Sequence, residues 1–246
     1  MHDYTLEGPR LKVERANRHI DEFEIEIEAY RQTKPYTIAP NIDTAAPGEI
    51  IKIDLPNAVP MNLSVIAGDV LHNLRSALDH LVSRLAERNG ANSTRDVYFP
   101  FGRDSTGFES SAKEKIKRLS TSAQTFIRDL KPYKGGNDLL WAIHALNIMD
   151  KHNLLVPVGS TATLRGVPVC DPLYELMLPD FKAVKEGINE VPLRPMPVYD
   201  HKIEFTFDIA FGDVEPVKDQ SVLATMHQFS DLVAKIIDLA EKRFFS

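Results

Sequence analysis

Two short stretches of this 246-residue chain concentrate the side chains that can do chemistry. The first runs from Asp69 to His80 and sets Asp69, His72, Asn73, Arg75, Ser76, Asp79 and His80 among leucines and alanines. At 100° per residue, spacings of three, four and seven return to one helical face, so Asp69, Asn73, Ser76 and His80 share an arc of roughly 60°. Arg75 and Asp79, four apart on the opposite flank, are spaced as an ion pair. The second stretch, His144 to His152, adds Asn147, Asp150, Lys151 and His152. Acids, imidazoles and amides in such density suit proton transfer or a phosphate pocket. They equally suit a structural network that sets the register of two packed helices, and both readings stay open.

A metal site is the third chemistry to weigh, because Asp69, His72, His80, Asp150 and His152 are all of ligand type. The spacing argues against it. His72 and His80 lie roughly 80° apart around a helix, unlike the i,i+4 pair of a zinc helix, so no metal is expected. No Walker-type phosphate loop, dinucleotide-binding glycine motif, nucleophile elbow or Cys-x-x-Cys is present, and no cofactor is expected either.

The elements that must carry these groups are legible from hydrophobic periodicity. Ala67, Val70, Leu71, Leu74, Ala77, Leu78, Leu81 and Leu85 form an apolar arc of about 120° on a long helix expected over about 63–88, stopped by Asn89-Gly90. A helix from Asp138 to about His152 is apolar nearly all round and is therefore expected to be buried. Asn147 and Asp150 project with its Leu139–Ile143–Leu146 face, and a carboxylate there needs a cation or several donors. His72, Arg75, His80 and Lys151 are the candidates, and Asp150 is expected to be ionised and paired.

Elsewhere, Val13, Ala16, Ile20, Phe23, Ile27 and Tyr30 recur every three or four residues, which predicts a helix over 9–33. Its acids Asp21, Glu22, Glu24, Glu26 and Glu28 read as a solvated face. Runs at 36–38 and 49–55 suggest a short hairpin around Gly48. Residues 91–110 read as loop, with shorter helices near 112–119 and 122–130. Strand-like segments follow at 154–158 and 161–164, and the proline-rich stretch 165–200 resists assignment. Alternation of Ile203, Phe205, Phe207, Ile209 and Phe211 marks a half-buried strand, and a last helix covers about 220–244. The class is α+β, a single domain: a mainly helical bundle over about 9–155 with an inserted β-hairpin, then C-terminal β segments and a last helix.

The run Gly68-Asp69-Val70-Leu71-His72-Asn73-Leu74-Arg75-Ser76-Ala77-Leu78-Asp79-His80-Leu81, followed by Asn147-x-x-Asp150-Lys151-His152, resembles the signature of a widespread set of uncharacterised bacterial proteins across about residues 10–157. That set carries no settled activity. Arg75-x4-His80 in a bundle helix is also similar, more loosely, to the motif of HEPN domains, many of which are metal-independent ribonucleases acting as dimers. By that resemblance His80 is the acid/base and Arg75 the phosphate clamp, with Asn73 and Asp150 orienting them and RNA as the partner. Ser76 stands where HEPN motifs more often carry Asn, Asp or His. Five residues of straight helix separate Arg75 from His80 by about 140°, so the resemblance implies a homodimer that completes the site. The alternative is a non-catalytic binding or scaffold protein whose polar cluster is structural.

The balance of 29 Lys+Arg against 35 Asp+Glu disfavours broad electrostatic capture of nucleic acid while allowing a local cationic site. Lys113, Lys115, Lys117 and Arg118 form one such basic patch, more often a solvated face. Cys170 is the single cysteine, which excludes an intrachain disulfide and points to a reducing, cytoplasmic setting. Neither a secretory leader nor a membrane-spanning run is expected.

Overall fold

The three-and-four spacing of the N-terminal apolar residues forms helix α1, Glu7–Gln32, burying Val13, Ala16, Ile20, Phe23 and Ile27. The computed structural model describes residues 5–41, 50–55, 59–152, 158–168, 187–192, 201–212 and 215–245. Phe23 to Glu28 also alternates with period two, and the helix resolves that conflict by leaving Ile25 69% exposed. The acids Asp21, Glu22, Glu24, Glu26 and Glu28 are exposed, as a solvated face requires.

Strands β1, Thr37–Asn41, and β2, Ile50–Leu55, pair antiparallel as the expected hairpin. Helix α2, Met61–Arg88, is the central element, and it packs against α1, against α5 (Asp138–His152) and against α6 (Val222–Phe244). Its entire expected arc, Ala67 to Leu85, is buried. Short helices α3, Ser105–Lys115, and α4, Thr121–Asp129, lie between α2 and α5 in the chain. The long loop expected over 91–110 is therefore shorter than its composition suggests. Asp104 opens α3 by accepting the Gly107 N–H at 2.7 Å, and Phe108 and Ala112 give the helix a buried row that continues to Ile116. The weak helix formers Ser105-Thr-Gly hid this start.

The proline-rich stretch supplies β4, Gly187–Pro192, which adds to the far edge of β2 and makes a three-stranded antiparallel sheet. Strands β3, Val158–Pro168, and β5, His201–Phe211, pair antiparallel from Val158↔Phe211 to Pro168↔His201. Cys170 and most of the strand expected at 154–158 fall outside the described residues. Arg31 at the end of α1 holds β5, donating to the Phe207 carbonyl at 3.1 Å and to Asp208 at 3.0 Å. Arg10, at the other end, pairs with Asp238 and Glu241 of α6. The architecture is a helical bundle with β segments inserted and appended. Among the described residues no helix is long and apolar enough to cross a membrane.

Candidate functional site

Arg75 and Asp79 form the ion pair that their spacing anticipates, at 2.5 Å, but inside the protein and not on its surface: Arg75 is 8% exposed. Both side chains also grip the backbone of one residue of the 97–101 segment, Phe99. The Arg75 Nη2 donates to the Phe99 carbonyl at 3.1 Å, and the Asp79 carboxylate accepts the Phe99 N–H at 2.8 Å. The guanidinium lies 4.8 Å from the centre of the Phe101 ring, a cation–π contact. A segment without regular secondary structure leaves its backbone groups unpaired, and the Arg75–Asp79 pair satisfies both polar groups of Phe99 at once.

The Phe101 ring also stacks on His144 of α5, with ring centroids 4.4 Å apart and planes inclined by 6°. Burial above all, then the charges of Arg75, Lys115 and Lys151, push the His144 imidazole down to about 4. It is therefore neutral in the folded protein at pH 7. Because its folded value lies below the unfolded one near 6.5, the unfolded chain takes up the proton first as the solution is acidified. The His144 contribution is complete above about pH 6.5 and is lost as the pH falls toward 4, reaching about 3 kcal/mol at most. His72 and His80, also shifted down, add to this slope, whereas Asp150, shifted up, opposes it at the acid end. Urea denaturation of His144→Phe between pH 7 and 5 should show a flatter loss than the parent; equal slopes would place His144 outside the interior.

Farther along the same antiparallel α2–α5 contact, Asp150 rests on Gly68. A Cβ at position 68 would lie 2.8 and 2.9 Å from the Asp150 Cγ and Oδ2, and closer still to Oδ1. The glycine is there for close approach and not for an unusual backbone angle. No hydrogen bond or ion pair reaches Asp150 from the described residues. Burial first and the nearby Asp69 charge second raise its pKa, with His72 and Lys151 partly offsetting them. The expectation of a paired Asp150 is thus corrected among the described residues: its carboxylate lies against the helix backbone at Gly68. Gly68→Ala should cost ~1–2 kcal/mol, overpacking of ~1–3 kcal/mol less the gain in helix propensity. The loss should vanish in Gly68→Ala/Asp150→Ala, as a thermal double-mutant cycle can read; strict additivity would mean that the carboxylate swings free.

On the flank of α2 facing α1, the Asn73 side chain donates to the Asp69 carbonyl at 2.8 Å and accepts from Lys12 at 3.3 Å. His80 is exposed with its Nδ1 toward Gly8 at the start of α1. Partial burial first, then Lys12 and Arg84, hold the His80 imidazole below its ordinary value against the pull of Asp79. His72 is exposed as well; burial of one side, Lys151 and Lys12 lower its pKa while Asp69 and Asp150 raise it. Ser76 is partly buried between the two flanks.

The residues singled out in the sequence therefore divide. Arg75 and Asp79 join Phe99, Phe101 and His144; Asp69, His72, Asp150 and Lys151 form a second, electrostatically coupled group; Asn73 joins Lys12, with His80 beyond them. No hydrogen bond or ion pair connects Arg75 to His80. Asn147 is 3% exposed within the bundle, and its Oδ1 has no hydrogen-bond partner among the described residues. His152 closes α5, and its side chain is not among those described. Among the described residues no three His, Cys, Asp or Glu side chains are grouped as a metal site requires.

Sequence reasoning missed Phe99, Phe101, Lys12, Ser111 and the partial burial of Lys115. The basic patch is in fact dispersed: Lys117 pairs with Glu114, Arg118 with Asp96, and Lys115 is partly buried. A buried row at Phe108 and Ala112 was the available signal, since Ser111 and Lys115 flank it at helical spacing. Comparison with protein-family models, with curated proteins and with solved structures finds no match for this chain.

Proposed function

We propose that the protein is a non-catalytic binding or scaffold protein of the cytosol, with a structural polar cluster between α2, α5 and the 97–101 segment. One observation carries this reading: the Arg75 guanidinium is buried and committed to Asp79, to the Phe99 carbonyl and to the Phe101 ring. A phosphate clamp needs donors facing the substrate, and those of Arg75 face the protein's own backbone.

A specific observation favours a second reading, the HEPN-like metal-independent ribonuclease. His80 is exposed and its imidazole is biased toward the neutral, proton-accepting form at pH 7. A homodimer with His80 near its axis would then have to bring a phosphate-binding cation from the second subunit.

Incubating labelled single-stranded and structured RNAs with the purified full chain in EDTA separates the two. The binding reading expects both RNAs intact with the parent and with His80→Ala. Cleavage that falls by ~10²-fold or more in His80→Ala, with folding preserved, would overturn it and establish the ribonuclease.

A further inference from the structure

The start of α1 lies along α2 and touches it at two points one helical turn apart on α1. A Cβ at Gly8 would lie 3.7 Å from His80 Nδ1, and the Lys12 ammonium reaches the Asn73 side-chain oxygen at 3.3 Å. Gly8 and Lys12 are spaced four apart, so both face α2 from one side of α1. On α2, Ser76 stands three residues from Asn73 and four from His80, which sets its Cβ about 5–6 Å from each of theirs. Lys12, Asn73, Ser76 and His80 therefore line one seam between the two helices. Asn73 is 7% exposed, Lys12 and Ser76 are partly buried and His80 is exposed, so the seam is closed at Asn73 and open to solvent at His80.

The Asn73 amide is committed on both sides, donating to the Asp69 carbonyl at 2.8 Å and accepting from Lys12. An amide oxygen fixes an ammonium in place without neutralising it, and the ammonium keeps further N–H groups for another acceptor. Lys12 has no ion pair among the described residues, Asp69 one turn before Asn73 included. Asp79, the carboxylate beside His80 in the chain, is taken by Arg75 at 2.5 Å and by the Phe99 N–H. The Ser76 and His80 side chains make no hydrogen bond among the described residues. Burial first and the Lys12 charge second hold the His80 imidazole below its ordinary value, so the positive potential of Lys12 extends along the seam. A fixed ammonium, a hydroxyl and an imidazole N–H are the donors that a tetrahedral oxyanion takes.

We propose that the seam between the start of α1 and residues 73–80 of α2 binds the phosphate group of a ligand, with Lys12 as its cation, Ser76 and His80 as hydrogen-bond donors and Asn73 as the positioning residue that holds Lys12. This deepens the binding reading by giving it a ligand class, and rests on it in that the ligand is held and not cleaved. RNA cleaved in EDTA would overturn the binding reading alone, whereas absence of phosphate binding would overturn the site alone.

The test titrates two probes separately into the full chain at constant ionic strength, with chloride as the balancing anion. One is inorganic phosphate, and the other is a short single-stranded DNA, which has no 2′-hydroxyl to attack its phosphates. Calorimetry and the NMR signal of the His80 ring follow occupancy. Saturable binding that moves the His80 signal is expected, and the tighter probe tells a free phosphate from a nucleic-acid backbone. Lys12→Met should weaken binding by about tenfold or more, as loss of one charge-assisted contact requires, and His80→Ala should weaken it as well, each variant first checked by circular dichroism. Lys117→Met, altering a surface lysine paired with Glu114, should bind as the parent does. The proposal is overturned if neither probe binds saturably, if His80→Ala binds as tightly as the parent, or if Lys12→Met binds no more weakly than Lys117→Met.

Discussion

Arg75→Ala should lower the stability of this protein by ~3–5 kcal/mol, the range for removing one partner of a buried ion pair. The loss has three parts: Asp79 keeps a partly buried charge with its cation gone, the Phe99 carbonyl loses its donor, and the Phe101 ring loses the guanidinium over its face. Arg75→Lys should restore only a fraction, since an ammonium keeps the charge but not the fork that reaches Asp79 and Phe99 together. Urea denaturation followed by far-UV circular dichroism measures both. The pair of variants also bears on function, because a guanidinium reserved for substrate would leave stability nearly unchanged when truncated. A loss below ~1 kcal/mol for Arg75→Ala would remove the frame role and return Arg75 to the list of catalytic candidates.

Leu74→Ala and Leu81→Ala should each cost ~2–5 kcal/mol through lost burial and the cavity left behind. Both side chains are fully buried on the face of α2 that the rest of the bundle surrounds, and α2 touches α1, α5 and α6 together. For a chain of this size, a melting temperature lowered by about 4–20 °C is expected. Leu11→Ala on the outer side of α1, where the leucine is 52% exposed, serves as the control and should change stability by ~0.5 kcal/mol or less. Comparable losses at Leu11 and Leu74 would show that α2 is not the centre of the core.

Helix α2 illustrates how far local pattern reaches. Each leucine of its apolar arc is buried as the 100° repeat requires, because burial of a stripe follows from periodicity whichever partners cover it. The i,i+4 geometry of Arg75 and Asp79 was local as well, so the pair itself was legible. Its burial was not, since nothing within residues 61–88 says that the backbone of Phe99 will be laid across that flank. The same limit explains α3: Asp104 and Phe108 are the cues, but glycine and serine in the first turn leave local propensity undecided until Phe108 packs in the core.

By itself the amino-acid sequence determined the helical class, the solvated acidic face of α1, the buried stripe of α2, the β1–β2 hairpin and the β5 strand, because each depends on the periodicity or turn chemistry of one contiguous segment. Only the tertiary structure decided what the polar residues face. It set Arg75 on a distant peptide, laid Asp150 against Gly68 with no counter-ion among the described residues, and stacked His144 on Phe101. Helical spacing fixes an angle about one axis, whereas the charge and hydrogen-bond state of a side chain depends on atoms brought from other axes, and those arrive only when the helices pack.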